Sequence, residues 1–360
     1  MAQASVLNAP ASVDRFGGRR LRCGVVGVGR MGQHHARTYA NMAGATLVGV
    51  VDASKERREQ IADKFDTKAF ATVQELLDAG VDAVSVAAPT TQHLAVTEPL
   101  LRAGVACLVE KPLAGDSDTA MRIKDVADAT GSVLMVGHIE RFNPVMRAMQ
   151  KASSLEGGKG LNIIPRFMQV IRVSPMTFRS VDIGVVMDMM IHDLDVVLML
   201  MGKEPSFIRA SGVSVVTKHE DLCNAWLEFD TDHGKCVANL QASRLAFKTE
   251  RVTRITGEHG YIKIDYGAKK GTMIRRLANE LQMQEIHEAL AKGTDLTQLK
   301  WDQLVNIDEL VADDAEPILM EIEAFLHAVR TGERPPIDAE AGFMNVRTAQ
   351  RIVEAIQQSR

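Results

Sequence analysis

Cysteine is scarce in this chain. Cys23, Cys107, Cys223 and Cys236 are the four present. None belongs to a C-x-x-C, and no histidine pair stands near them at zinc-binding spacing. A disulfide framework is therefore not expected, and a reducing cytoplasm is the expected setting. Long uninterrupted apolar runs are missing too. Residues 183–201 are apolar but contain Asp188, His192, Asp193 and Asp195, so no membrane span or membrane partner is expected. Runs rich in Lys and Arg are absent, and 42 cationic against 46 anionic residues leave a net charge of −4. That balance argues against nucleic acid as a main partner. The first 20 residues lack the apolar core of a signal peptide and read as a flexible N-terminal extension. No internal repeat, low-complexity tract, G-x-S-x-G, H-E-x-x-H or Walker pattern occurs.

What is present is an ordinary globular balance, 46% hydrophobic and 24% charged over 360 residues. That length suits two domains of about 150 residues each. Short Val-rich runs at 21–28, 45–51, 82–88, 106–109 and 133–136 read as strands buried on both faces of a parallel sheet. Helical segments alternate with them at 30–42, 55–65, 72–78, 92–102 and 116–129. Asp116 is the N-cap candidate of the last, and Pro99 predicts a kink or early stop in the fourth. This rhythm predicts a doubly wound α/β domain over 21–140.

Beyond it the texture changes. Half-buried alternation marks strands at 162–173, 207–216, 222–230, 235–244, 250–256 and 260–266, with Asp232-His233-Gly234 as a turn. Consecutive strands without intervening helices predict an α+β domain with an open, largely antiparallel sheet. Such a sheet can leave one face for a partner subunit, so a homo-oligomer, dimer or tetramer, is expected. Residues 182–201 read as one helix covering the other face. A helix candidate follows at 273–292, then a polar excursion over 293–316. Helices near 317–330 and 339–358 close the chain. The expected division is 1–20 extension, 21–140 doubly wound domain, 141–338 open-sheet domain joining a partner subunit, and 339–360 C-terminal helix.

Gly27-Val28-Gly29-Arg30-Met31-Gly32 matches G-x-G-x-x-G between a strand and a helix, and Asp52 ends the next strand. The first glycine permits the tight turn, the second lets backbone approach a pyrophosphate, and the third lets helix and strand pack closely. The helix N-terminus offers free N–H groups to phosphate. Asp52 can accept from an adenosine ribose and would repel a 2′-phosphate, which favours NAD over NADP; Arg57 and Arg58 weaken that preference slightly. Thr90 and His93 follow a strand end near the expected cofactor, or else cap the next helix.

Three segments carry candidate chemistry. Glu110-Lys111-Pro112 ends a strand, where ligands of open α/β sheets sit. Lys111 there can stabilise an alkoxide or act as a base, or it is an exposed lysine. Pro112 restricts it to extended backbone. Asp188 and His192 are four residues apart and share a helix face. His192 titrates near neutrality and suits proton transfer, with Asp188 orienting it, or the two make a structural contact. Gly137-His138-Ile139-Glu140-Arg141-Phe142-Asn143-Pro144 opens at another strand end. Glu140, Arg141 and Asn143 suit a polar ligand, or form a charged connection into a helix begun by Pro144. His34 and His35 are adjacent on a helix and cannot face one metal, so no metal is expected.

Together, GVVGVGRMGQHH, VSVAAPTTQH, Glu110-Lys111-Pro112 and Asp188-x-x-x-His192 resemble the Gfo/Idh/MocA oxidoreductase family over residues 21–358, apart from the segment near 293–316. The resemblance implies a Rossmann domain binding NAD at Gly27, Gly29, Arg30, Met31, Gly32, Asp52, Thr90, His93, Glu110 and Lys111. It also implies a catalytic group of Lys111, Asp188 and His192. GHIERFNP, DIGVVMDMMIHDLD and CVANLQASR further resemble the bacterial branch that oxidises C3 of UDP-linked N-acetylhexosamines. That implies a UDP-sugar substrate contacting Glu140, Arg141, Asn143, Arg172 and His192. It also implies a 3-keto product passed to an aminotransferase on the way to lipid A or a surface polysaccharide. Arg166, Arg172, Arg179 and Arg244 are the cations available for a diphosphate. The alternatives are a dehydrogenase of free inositol, polyol or sugar, and a non-catalytic NAD-binding regulator.

Overall fold

The computed structural model describes residues 13–153, 163–178, 181–278, 280–295 and 304–359. The chain divides into two units. The first comprises Met1–Ile139 and Glu316–Arg347, the second Glu140–Ala315 and Thr348–Arg360.

In the first unit six strands form a sheet: β1 (Leu21–Val26), β2 (Ala45–Val51), β3 (Lys68–Phe70), β4 (Ala83–Val86), β5 (Ala106–Glu110) and β6 (Leu134–Gly137). Their order is β3-β2-β1-β4-β5-β6, all parallel. This is the doubly wound order, in which the crevice at the switch between β1 and β4 receives a dinucleotide. The strands read as unbroken apolar runs because helices cover both faces. Those between them are α1 (Arg30–Asn41), α2 (Lys55–Lys64), α3 (Val73–Asp78), α4 (His93–Arg102) and α5 (Ser117–Thr130). Asp116 caps α5 as expected, accepting from Thr119 N–H at 2.8 Å. Pro99 does not stop α4, which continues to Arg102. Leu100 and Leu101, both fully buried, hold the last turn against the core, so packing overrides the local cost of proline.

In the second unit α6 (Pro144–Ser153) leads to β7 (Pro165–Val173). A π turn at Val186–Met190 runs into α7 (Ile191–Met201), so 182–201 is not one uniform α-helix. Then come β8 (Phe207–Val213), β9 (Leu222–Thr231), β10 (Gly234–Ser243), β11 (Glu250–Gly257), β12 (Gly260–Asp265), β13 (Lys270–Arg276), α8 (Glu280–Ala291) and β14 (Val305–Leu310). The sheet order is β14-β13-β12-β11-β7-β10-β9-β8. Every pairing is antiparallel except β7 with β10. Cys223, Ala225, Leu227 and Phe229 of β9 and Cys236, Ala238, Leu240 and Ala242 of β10 form the buried face. Phe167 and Trp226 look out from the other, with ring centroids 6.1 Å apart.

The chain returns through α9 (Pro317–Thr331) and α10 (Ala339–Gln358). Here the division departs from the expected boundary at 338. Ile322 and Phe325 of α9 are fully buried, and α9 belongs to the first unit with α1 and β5. The strand ladder is extended where Val136 N–H donates to Ile337 C=O at 2.9 Å. Residues 14–20 are also tied down: Arg330 Nη1 donates to Asp14 Oδ2 at 3.1 Å, and Arg19 forks onto Asp82 with two bonds of 2.7 Å. No described helix is long and apolar enough to cross a membrane.

Candidate active site

The nucleotide cradle is built where β1 meets α1. Gly27 has φ +83°, and a Cβ there would lie 2.5 Å from Ala88 N. A Cβ on Gly32 would overlap the Gly27 carbonyl oxygen. A Cβ on Gly29 would meet nothing within 4 Å. Gly29 therefore borders open space at the start of α1, as a pyrophosphate cradle requires. Arg30 is exposed beside it and Met31 half-buried. Asp52, 8% exposed, accepts from Val28 N–H at 2.9 Å and from Ser54 N–H at 2.9 Å. Arg57 lies 3.6 Å from it. A carboxylate has about four lone-pair sites, so two remain for a ribose diol. The donor set fits NAD.

After β4, Thr90 opens a 3₁₀ turn and is half-buried. His93 is 1% exposed, and both ring nitrogens lie against backbone carbonyls: Nε2 at 3.0 Å from Ala88 O and Nδ1 at 3.2 Å from Leu113 O. It joins the end of β4 to the loop after β5. Burial pushes its imidazole below the ordinary value, although the two carbonyls pull it back.

Glu110-Lys111-Pro112 leaves β5 at the same sheet edge, and Lys111–Pro112 is cis. Lys111 is half-buried. Behind it, Glu110 Oε1 receives His35 Nε2 at 3.0 Å, and Glu110 Oε2 accepts Lys111 N–H at 3.2 Å. Burial works against the Glu110 charge, but the His35 bond and the nearby Lys111 charge hold its carboxyl below the ordinary value.

In the second unit, Asp188 sits in the π turn and His192 in the first turn of α7, both half-buried on a segment whose other polar residues are Asp193 and Asp195. π turns recur at functional sites. Glu220 anchors this one: its backbone carbonyl accepts Val185 N–H at 3.0 Å and its Oε1 accepts Val186 N–H at 3.2 Å. Nearby, Arg172, 4% exposed, forks onto Asp193 at 2.7 and 2.8 Å and reaches Glu140 Oε1 at 3.0 Å. Burial pushes the Asp193 carboxyl up and Arg172 pulls it back, while the two acids hold the guanidinium firmly charged. Arg141 forks onto Asp195 at 2.7 and 2.6 Å. The Asn143 amide lies 3.4 Å from Glu140 Oε2 and 3.5 Å from Tyr266 O.

The structure thus gathers Gly27, Gly29, Gly32, Asp52, Thr90 and Lys111 along one sheet edge of the first unit. In the second it links Asn143, Glu140, Arg172 and Asp193 into one polar network, and pairs Arg141 separately with Asp195. The arginines expected for a diphosphate have internal partners: Arg166 pairs with Glu258, Arg172 with Asp193, and Arg244 donates to Ile183 O at 2.8 Å. Arg179 lies outside the described residues. Sequence reasoning missed three residues at the site, Glu321, Glu220 and Arg251. Arg251 is exposed on β11 with Nη1 4.0 Å from Glu140 Oε1. Its signal was an arginine opening a strand whose next inward-facing positions, Thr253 and Ile255, are buried.

Comparison with known proteins agrees with this geometry. The oxidoreductase family with an NAD-binding Rossmann fold, Gfo/Idh/MocA, matches residues 21–138, and its C-terminal alpha/beta domain matches 177–360. The chain is 36% identical to the UDP-N-acetylglucosamine 3-dehydrogenase of Acidithiobacillus ferrooxidans over 94% of this chain and 97% of that protein. A solved structure of that dehydrogenase superposes with a TM-score of 0.80 at 33% identity, covering 94% of this chain and 98% of the other. Similarity to the NAD(+)-dependent scyllo-inositol 2-dehydrogenase of Bacillus subtilis is 26% over 88% of each chain. A levoglucosan dehydrogenase solved with NADH shares the fold, with a TM-score of 0.76 at 17% identity over 95% of this chain and 98% of that one. The parallel sheet, the glycine cradle and these matches make one conclusion: the chain belongs to the Gfo/Idh/MocA family of NAD-binding oxidoreductases.

Proposed function

We propose that the chain oxidises the C3 hydroxyl of a UDP-N-acetylhexosamine, UDP-N-acetylglucosamine before others, to the 3-keto sugar with NAD⁺. The observation that carries this is the 36% identity to a UDP-N-acetylglucosamine 3-dehydrogenase across nearly the full length of both chains. Bound NAD⁺ supplies a hydride acceptor. In this reading Lys111 hydrogen-bonds the C3 hydroxyl and stabilises the charge that grows on its oxygen. His192 takes the hydroxyl proton, directly or with Lys111, and Asp188 orients the imidazole. Glu140, Arg141, Asn143 and Arg172 serve the sugar nucleotide as a polar wall whose ion pairs keep it rigid.

The reading extends to a cytoplasmic enzyme whose product feeds a transamination leading to lipid A or a surface polysaccharide. It also extends to a homo-oligomer, dimer or tetramer, joined through the open sheet. Supports for these are four buried free cysteines and the outward-facing Phe167, Phe207, Trp226 and Ile307.

The test is incubation of purified protein with NAD⁺, UDP-N-acetylglucosamine and a carbonyl trap, read by mass spectrometry. Trapped keto sugar that vanishes in Lys111→Ala and His192→Ala is expected. NAD⁺ reduction by free polyols alone would move the substrate to the inositol class. Absence of turnover with every substrate, with NADH still bound, would make the chain a regulator.

A further inference from the structure

A buried polar chain runs behind the candidate lysine, wholly within the first unit. Tyr39 Oη lies 2.8 Å from Ser85 Oγ, Ser85 Oγ lies 3.0 Å from His35 Nδ1, and His35 Nε2 lies 3.0 Å from Glu110 Oε1. Tyr39, Ser85 and His35 are all fully buried. With an uncharged imidazole, one direction of donation leaves no two acceptors facing. Tyr39 donates to Ser85, Ser85 to Nδ1, and Nε2–H to an ionised Glu110. Glu110 then accepts the N–H of Lys111.

Glu321 of α9 completes the cluster. It is fully buried, and neither carboxyl oxygen has a hydrogen-bond partner. One of those oxygens, with one atom each from His35 and Glu110, falls in a group whose members all lie within 4.8 Å of one another. Two ionised carboxylates at that separation, shielded from water, would repel strongly. Burial first, and the Glu110 charge second, push the Glu321 carboxyl well up. A neutral acid there removes that repulsion and leaves the single negative charge on Glu110.

We propose that Glu321 is a positioning residue for Lys111: it holds the one proton of the Glu321–Glu110 pair, and with His35 it keeps the Glu110–Lys111 peptide in place at the end of β5. This deepens the reading above and rests on Lys111 acting in the reaction. It makes α9, far along the chain, part of the support of the site. The role is distinct from catalysis, because Glu321 acts only through Glu110.

Infrared difference spectroscopy on the purified full chain tests the proton, independently of any substrate. At neutral pH a buried protonated carboxyl stretch is expected, and it should vanish in Glu321→Gln. A spectrum without that band, or one unchanged in Glu321→Gln, would overturn the proposal. So would purified protein carrying one equivalent of a divalent metal that His35→Gln releases, since the carboxylates would then face a cation rather than a proton. Turnover tests the positioning. Glu321→Leu, of similar bulk but apolar beside the Glu110 charge, should lower kcat by at least about tenfold with KM for NAD⁺ unchanged, and Glu321→Gln should restore most of it. Equal activity in Leu and Gln variants would also overturn it. Should Glu321→Leu fail to fold, the Gln spectrum and a kcat loss in His35→Gln carry the same decision. If wild type is inert with UDP-N-acetylglucosamine while the acid band is present, the substrate assignment fails and the proton pair stands.

Discussion

Glu220 stands where a side chain on residue 184 would stand. A Cβ built on Gly184 would overlap the Glu220 carboxyl group. That carboxylate accepts Val186 N–H, so a glycine at 184 is what lets Glu220 reach the π turn that carries Asp188. Gly184→Ala should displace Glu220 and loosen this turn. The expected result is a kcat loss of about a hundredfold, the scale of an ångström-sized misplacement. NADH titration by fluorescence should be unaffected, because the nucleotide cradle lies in the other unit. Wild-type turnover in the variant would show that the turn does not need this anchor.

The three glycines of the cradle should behave differently. Gly29→Ala meets open space and should leave the melting temperature near wild type while weakening NADH by about tenfold, or ~1.4 kcal/mol. Gly32→Ala overlaps the Gly27 carbonyl and should cost about 1–3 kcal/mol of stability. Thermal melts with NADH titrations separate the two. Similar melting losses in both would remove the case for Gly29 facing the pyrophosphate.

Asp52 is bonded to Val28 and Ser54 N–H, and Arg57 lies 3.6 Å away with its side chain 51% exposed. Asp52→Asn keeps an acceptor oxygen and removes the charge that opposes a 2′-phosphate. The ratio of kcat/KM for NAD⁺ over NADP⁺ should fall by about tenfold, a change of ~1.4 kcal/mol. An unchanged ratio would mean that cofactor choice is made elsewhere.

Asp221 should contribute to acid-sensitive stability in the second unit. Burial alone would raise its pKa, yet the N–H groups of Thr217, Val216 and Val215 and the Thr217 hydroxyl hold the carboxyl well below the usual carboxylate range. A depressed acid binds fewer protons folded than unfolded. Its contribution is therefore present above the ordinary value of 3.8 and is lost as pH falls through the folded value. Asp221→Asn should cost about 1–3 kcal/mol at neutral pH and flatten the acid limb of stability. Urea midpoints measured in steps toward acid check this; equal slopes in both proteins would refute it.

Much of this was legible in the chain, and the misses have physical causes. The parallel sheet was readable because strands buried on both faces are unbroken Val runs, and Gly27 to Gly32 with Asp52 marked its ligand edge. β3 has three residues and offered no pattern. β13 was misread as the start of a helix because Lys270, Arg275 and Arg276 hide its alternation. β14, with Asn306, Asp308 and Glu309 among six residues, looked like loop. The spacing of Asp188 and His192 could be read as one helix face, but not the π turn between them, which depends on Glu220 more than thirty residues away. Glu321 read as one acid among others on an amphipathic helix. Nothing local shows that its helix packs in the first unit, since that contact joins distant parts of the chain.

The assignment of α9 to the first unit has a bearing on how the molecule is made. The nucleotide unit is stitched from two pieces, with residues 140–315 between them. A nascent chain carrying only Met1–Ile139 has its six strands but lacks Ile322, Phe325 and the Glu321 carboxyl. Until the ribosome has passed Thr331, Tyr39 and His35 have no helix to close over them. Translation therefore finishes the second unit's sheet before the first can lock, and a gene cut at residue 138 would yield a nucleotide domain missing one wall.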